Sequence, residues 1–266
     1  MAIIHLYTTF YPEKTDSRRQ ELLACLQYNL KNDAIGTITI FNEGGDLSDF
    51  NDTKLNEVSI KQRPTYQEFI TYINSHTSAD DIHILANTDI YFDQNIIVLK
   101  EVMSHHDCYA LSRWDTTEGK KPLLYNHNGS QDVWTFKGPI KKTLHADFPL
   151  GVPRCDNRFM FEIQDAGYHV KNPAFSIKAF HLHEGQRALV YTEDDNIYKI
   201  SKPYLYMYPH NLYGLWKTLY FNVNHKYKLA PYRYDIKKVN NWWSIRLGRK
   251  VWELITKEKM SLIGYK

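Results

Sequence analysis

Apolar and polar positions follow two rhythms along the first 115 residues. Residues 2–10, AIIHLYTTF, form a nearly continuous apolar and β-branched run, the pattern of a buried strand. In SRRQELLACLQYNLKN (17–32), Leu22, Leu23, Leu26 and Leu30 recur at helical spacing, which predicts an amphipathic helix. IGTITIFNEG (35–44) is a second strand stopped by Gly44 and Gly45, followed by a polar loop to Asp52 and a short strand over 56–61. The pattern repeats with a helix over 65–76, a strand over 81–92, a helix over 93–105 and a strand over 107–114. Strands alternating with helices of 10–15 residues predict an α/β fold with a mostly parallel sheet flanked by helices. Ligands of such sheets bind where loops converge beyond the carboxyl ends of the strands.

The second half is less regular. SQDVWTFKGPI (130–140) has strand character, residues from about Asp156 to Ala166 have helical spacing closed by Gly167, and a strand runs up to His181. After Arg187 the chain becomes aromatic and basic. This divides it into a domain over 1–190, with halves of about 1–115 and 116–190, and an extension over 191–266. There is no internal repeat and no low-complexity tract.

HILANTDIYFD (83–93) poses the first chemical question, because Asp89 ends a run otherwise suited to burial. A buried carboxylate is tolerated mainly when it is paired, hydrogen-bonded or holding a metal. An N-cap for the next helix is the alternative, but Asp93 suits that role better. At the ligand-side strand ends stand Thr8 and Thr9, Arg63, and Arg113 with Asp115. A solvated charge is the plain reading of Arg63.

Composition narrows the classes. Of 266 residues, 43% are hydrophobic and 24% charged, as in ordinary folded proteins. A net charge of +3 is too mild to argue for a nucleic-acid partner. Aromatic content is high, with 20 Tyr, 12 Phe and 6 Trp, which suits sugar faces and packed cores equally. Cys25, Cys108 and Cys155 show no CxxC spacing and fit a reducing compartment. The first residues lack a basic and apolar leader pattern, and no apolar run reaches the ~18 residues of a membrane span. Together these predict a cytoplasmic location.

In their order, four pieces resemble GT-A glycosyltransferases, nucleotide-sugar-dependent and similar to family 2. They are the N-terminal strand–helix–strand, the NTD triplet Asn87-Thr88-Asp89, CDNRFMFEIQDAGY from Cys155, and the HLH triplet His181-Leu182-His183. The NTD triplet is similar to the family's DxD motif, with Asn87 in place of the first acid. The resemblance covers residues 2 to about 190. It implies a divalent cation, Mn2+ or Mg2+, held by Asp89 with His181 and His183, acting as a Lewis acid on the donor's diphosphate. It implies nucleotide-sugar contacts from Thr8, Thr9, Arg63, Asn87, Arg113, Arg158 and Arg187, and an acceptor site of Asp132, Trp134 and Asn157. Asp156 matches the acidic position that supplies the general base of inverting members, although an Asp there is also a plain helix cap. Trp134 stacks on a sugar ring in one reading and belongs to a core strand in the other.

The function expected is therefore transfer of a sugar from a nucleotide-sugar to a glycan or lipid-linked glycan in surface polysaccharide synthesis. A retaining glycosyltransferase, a nucleotidyltransferase and a non-catalytic carbohydrate-binding protein are the alternatives. A nucleotidyltransferase would want a glycine-rich loop after the first strand, and LYTTFYPEKTD has no glycine. In NNWWSIRLGRKVWELITKEKM, near the end of the chain, Trp242, Ile245, Val251, Trp252 and Ile255 are interleaved with arginine and lysine. That suits either docking on the domain or an anionic membrane surface.

Overall fold

The computed structural model describes residues 2–117, 119–182 and 200–212, together with Leu247 and Val251. It is a mixed α/β structure built on a mostly parallel seven-stranded sheet. The elements are β1 (Ile4–Phe10), α1 (Asp16–Leu30), β2 (Thr37–Asn42), β3 (Leu55–Ser59), α2 (Tyr66–His76), β4 (Ile82–Ala86), β5 (Ile90–Phe92), α3 (Leu99–Val102), β6 (Asp107–Leu111), β7 (Arg113–Thr116), β8 (Leu123–Leu124), β9 (Val133–Lys137), α4 (Cys155–Asp165), β10 (His169–Lys171) and β11 (Ala179–Leu182). The large sheet has the order β10-β6-β9-β4-β1-β2-β3. Only β9 runs antiparallel to its neighbours β4 and β6.

Alternation along the strands feeds two cores. Ile4 and Leu6 of β1 join Leu22, Leu26 and Leu30 of α1 on one face. Tyr7 joins Phe69, Ile70 and Ile73 of α2 and Phe159, Met160 and Ile163 of α4 on the other. Burial of both sheet faces is what the near-continuous apolar strands required. The helix α2 begins with a full capping box: Thr65 accepts from the Glu68 N–H, and Glu68 accepts from the Thr65 N–H.

Two expected strands are broken, and both breaks matter. The run 81–92 divides into β4 and β5, which belong to different sheets. Asn87, Thr88 and Asp89 form the turn between them, closed by the Ile90 N–H donating to the Asn87 carbonyl at 3.2 Å. Likewise 107–114 divides at Ser112 into β6 and β7. The released pieces build a second, four-stranded sheet of order β5-β11-β7-β8. The expected helix over 93–105 is shorter too: a 3-10 turn over Gln94–Val98, capped by Asp93 through the Asn95 N–H at 3.1 Å, leads into the single turn of α3.

Residues 200–212 pack against the α2/α4 side of the sheet. Leu205 and Met207 are buried in the α2/α4 core, and the N–H groups of Leu205, Met207 and His210 donate to the carbonyls of Asn157, Asn128 and Asn172.

Candidate active site

The small sheet sets the centre of the site through its register. His181 of β11 lies opposite Asp115 of β7 on one side and Ile90 of β5 on the other. Asp89 immediately precedes Ile90. Parallel and antiparallel pairing therefore bring an imidazole between two carboxylates. His181 Nε2 lies 3.1 Å from Asp89 Oδ2 and Nδ1 lies 2.9 Å from Asp115 Oδ1. A carboxylate at each nitrogen favours the imidazolium form, in which both nitrogens donate. Burial opposes that charge, but the hydrogen bonds to Asp115 and Asp89 outweigh it and raise the pKa.

Asp89 has a second partner. The guanidinium of Arg18, in the first turns of α1, donates from Nη2 to the same Asp89 Oδ2 and from Nη1 to Glu21 Oε2 at 2.7 Å. Burial alone would raise the Asp89 carboxyl; His181 and Arg18 overcome it and hold the group well below the usual carboxylate range.

The network continues past Asp115. Arg113 Nε donates to Asp115 Oδ1 at 2.9 Å, and its Nη1 donates to Asp132 Oδ2 at 3.2 Å. Asp132 Oδ1 accepts from Asn87 Nδ2 at 2.9 Å. This last contact follows from the β4–β9 register, which pairs Ala86 with Val133 and sets Asn87 beside Asp132. One chain of polar contacts thus runs Glu21–Arg18–Asp89–His181–Asp115–Arg113–Asp132–Asn87. It lies along the carboxyl edge of β1 and β4, where ligands of such sheets bind.

Asp156 stands beside this chain. The helix α4 starts at Cys155, with Arg154 in the cap position at φ 71°, so Asp156 lies in the first turn and is not the N-cap. Its Oδ1 accepts from the Asn157 N–H at 2.8 Å. Burial pushes its carboxyl up to about 6, and the neighbouring negative charge of Asp132 adds to the rise against the backbone donors of Asn157 and Gln131. The side chain remains partly exposed. A half-buried carboxyl with a pKa near neutrality is suited to proton transfer.

Several buried polar atoms nearby have no hydrogen-bond partner among the described residues: Thr8 Oγ1, Gln131 Oε1, Trp134 Nε1 and both amide atoms of Asn157. Such groups are costly to leave unpaired. Thr8 and Thr9 line a small cavity with Asn87 and Thr88, and Thr9 Oγ1 lies 2.8 Å from Thr88 Oγ1. Arg63 is half-exposed, 3.9 Å from Glu43 Oε1 and 5.7 Å from the centre of the Tyr11 ring.

Two of the expected contact residues are engaged within the fold. Trp134 is 1% exposed, with its ring edge-on to Tyr66 and Phe159, so neither face is open to stack on a sugar. Arg158 donates to Glu162 Oε1 at 2.5 Å and to the carbonyls of Ser201 and Lys202, which commits it to packing residues 200–202. His183 and Arg187 lie outside the described residues. Arg18 and Glu21 were not expected at all. Their i, i+3 spacing is readable as a helix-surface pair, but a contact with a residue 71 positions away is not.

Of the residues expected to hold a metal, the described ones, Asp89 and His181, do not fit one as they are arranged. The His181 ring lies between the carboxylates of Asp89 and Asp115, so their oxygens face opposite nitrogens and do not converge. Asp89 Oδ2 already has Arg18 and His181 as partners, and the Asn87 amide is turned to Asp132. Among the described residues no group of three or more His, Cys, Asp or Glu side chains is disposed to hold a metal ion. Among them also, no helix is long and apolar enough to cross a membrane.

No family model and no curated protein matches this chain. Solved structures with a similar chain path include the mannosyltransferase PcManGT from Pyrobaculum calidifontis in complex with GDP-Man and Mn2+, at 11% identity over 70% of this chain and 57% of that one, with a TM-score of 0.47. They also include S. aureus TarS 1-349 in complex with UDP-GlcNAc, at 10% identity over 73% and 63%, with a TM-score of 0.48. A 4-diphosphocytidyl-2C-methyl-D-erythritol synthase matches at 9% identity over 74% and 97%, with a TM-score of 0.38. The chain spans 57% and 63% of the lengths of the first two. At these identities and scores the likeness says nothing about activity.

Proposed function

We propose that this protein is an inverting, GT-A-type glycosyltransferase that moves a sugar from a nucleotide-sugar donor to a hydroxyl acceptor. The observation that carries the reading is the position of Asp156. Its carboxyl, with a pKa of about 6, stands beside the Asp132 end of a fixed polar network at the carboxyl edge of the sheet. Arg154 occupies the cap position of α4, so Asp156 is not the N-cap, and its half-buried carboxyl beside Asp132 suits proton transfer.

In this reading the acceptor oxygen attacks the anomeric carbon, and its proton passes to Asp156. The bond from that carbon to the diphosphate oxygen breaks, and its electron pair leaves with the nucleoside diphosphate. Thr8 and Thr9 border the nucleoside, Arg63 its outer edge. Asp132, held by Arg113 and Asn87, orients an acceptor hydroxyl, and the unpartnered amide of Asn157 is a further polar contact. Trp134 contributes through its Nε1 and through packing, not by stacking. A bound divalent cation would supply Lewis-acid stabilisation of the leaving diphosphate, but the arrangement of Asp89 and His181 gives it no cage and no step here uses it.

A glycan or lipid-linked glycan is the acceptor class proposed. The basic, tryptophan-bearing segment after Asn240 suits an anionic lipid surface. Leu247 and Val251, its described residues, are helical and expose their side chains. The test is Asp156→Asn, assayed for donor affinity, melting temperature and sugar transfer. Normal donor affinity with transfer reduced by roughly 10²–10⁴-fold is the expected result; near-normal transfer would leave the reaction without its base and sink the inverting assignment.

A further inference from the structure

Arg18 is held against Asp89, the last residue of the NTD triplet. Two side chains fix its guanidinium: Glu21 accepts from Nη1 at 2.7 Å, and Asp89 Oδ2 accepts from Nη2. Its side chain keeps 23% of its surface open, against 10% for Asp89 and 5% for Glu21. The arginine is therefore the member of the trio that faces outward. Its neighbour Tyr11 directly follows the carboxyl end of β1, which sets the guanidinium at that end of the strand.

The partners of Asp89 favour an arginine over a metal here. Asp89 and Glu21 both accept from the Arg18 guanidinium, and Asp89 shares the His181 ring with Asp115. A dication is drawn to a carboxylate by available oxygen lone pairs, and Asp89 Oδ2 already has Arg18 and His181 as partners. A diphosphate needs fixed N–H donors and positive charge, which a guanidinium supplies in planar, bidentate form. Two of its five N–H groups are used in holding it. The fixed orientation lowers the ordering cost of engaging a ligand.

We propose that Arg18, anchored by Asp89 and Glu21, binds the donor's diphosphate directly, so that Asp89 is the anchor of an arginine and not a metal ligand. This rests on the nucleotide-sugar reading above. Arg18 then stabilises the negative charge that accumulates on the leaving group, in the place a metal would otherwise fill.

The full chain is titrated by calorimetry with GDP, UDP, ADP and CDP, in EDTA and again with Mn2+. The best-binding diphosphate is then compared with its nucleoside, followed by saturation-transfer NMR, on wild type, Arg18→Met and Arg18→Lys. The expected result is diphosphate affinity equal within about twofold with and without Mn2+. Arg18→Met should lower it by roughly 10–100-fold while nucleoside binding is unchanged, the range expected for charged hydrogen bonds; Arg18→Lys should recover part of the loss. A purely structural role would weaken nucleoside and diphosphate together. Affinity that rises tenfold or more with Mn2+, or that survives Arg18→Met, overturns the inference and leaves the nucleotide-sugar reading standing. Failure of all four diphosphates to bind wild type overturns both. If Arg18→Met does not fold, the wild-type metal comparison and Arg18→Lys still decide.

Discussion

His181 Nε2 lies 3.1 Å from Asp89 Oδ2, across 92 positions of sequence. The contact fixes the turn between β4 and β5 to the strand β11, and it ties the helix α1 to both through Arg18. Removing the charge of Asp89 would take one carboxylate partner from the largely buried Arg18 guanidinium, leaving it Glu21, and one from the His181 ring, leaving it Asp115. Asp89→Ala should therefore lower stability by about 3–5 kcal/mol, the usual cost of breaking a buried ion pair from one side. Chemical denaturation of wild type and variant measures it, and a change below about 1 kcal/mol would mean the pair is effectively solvated.

Asp156 predicts opposite pH behaviour for stability and activity. Its folded pKa of about 6 is raised above the ordinary carboxylate value of 3.8. Between the two the folded state binds more protons than the unfolded state, so its contribution to stability falls as pH rises through that window. Activity should rise over the same range, because the base must be ionised. Melting curves of wild type and Asp156→Asn from pH 4 to pH 8 should diverge in favour of the variant as pH increases. Curves that stay parallel would show that the carboxyl is not held in a raised state.

Arg113 joins Asp115 to Asp132 and lies 4.3 Å from the centre of the Tyr125 ring. Lysine keeps the charge but not the planar fork. Arg113→Lys should cost about 1–3 kcal/mol of stability and reduce transfer, chiefly by loosening Asp132. Acceptor KM should change more than donor affinity; the reverse result would move Arg113 to the donor side.

Trp134 gives a clean separation of packing from recognition. Its ring is enclosed by Tyr66 and Phe159, so Trp134→Ala should cost about 3–5 kcal/mol. A variant with near-native melting temperature and a raised acceptor KM would restore the stacking role.

For the terminal segment, truncation before Asn240 should reduce binding to anionic vesicles while turnover of a soluble acceptor persists. Aggregation of the truncated chain would instead assign the segment to packing.

The sequence by itself determined the alternation of strands and helices, and with it the α/β class. Its local signals were sharp where a few neighbouring residues decide the outcome. Thr65 and Glu68 mark the start of α2, Asp93 caps the turn before α3, and Gly167, at φ 82°, closes α4. Asp89 stood out because a carboxylate in an apolar run needs a partner, but the run could not say which. The tertiary structure decided that the run breaks at Asn87–Asp89, that β11 slots between β5 and β7, and that Arg18 reaches Asp89. Register across sheets selects those pairs, and a shift of one residue would turn each side chain to the opposite face. Trp134 shows the same division: an alternating strand predicts one buried face, but which aromatic rings close over it depends on α2 and α4 packing from elsewhere in the chain. Periodicity is a property of adjacent residues, whereas the partners of a buried charge or ring are chosen by the fold.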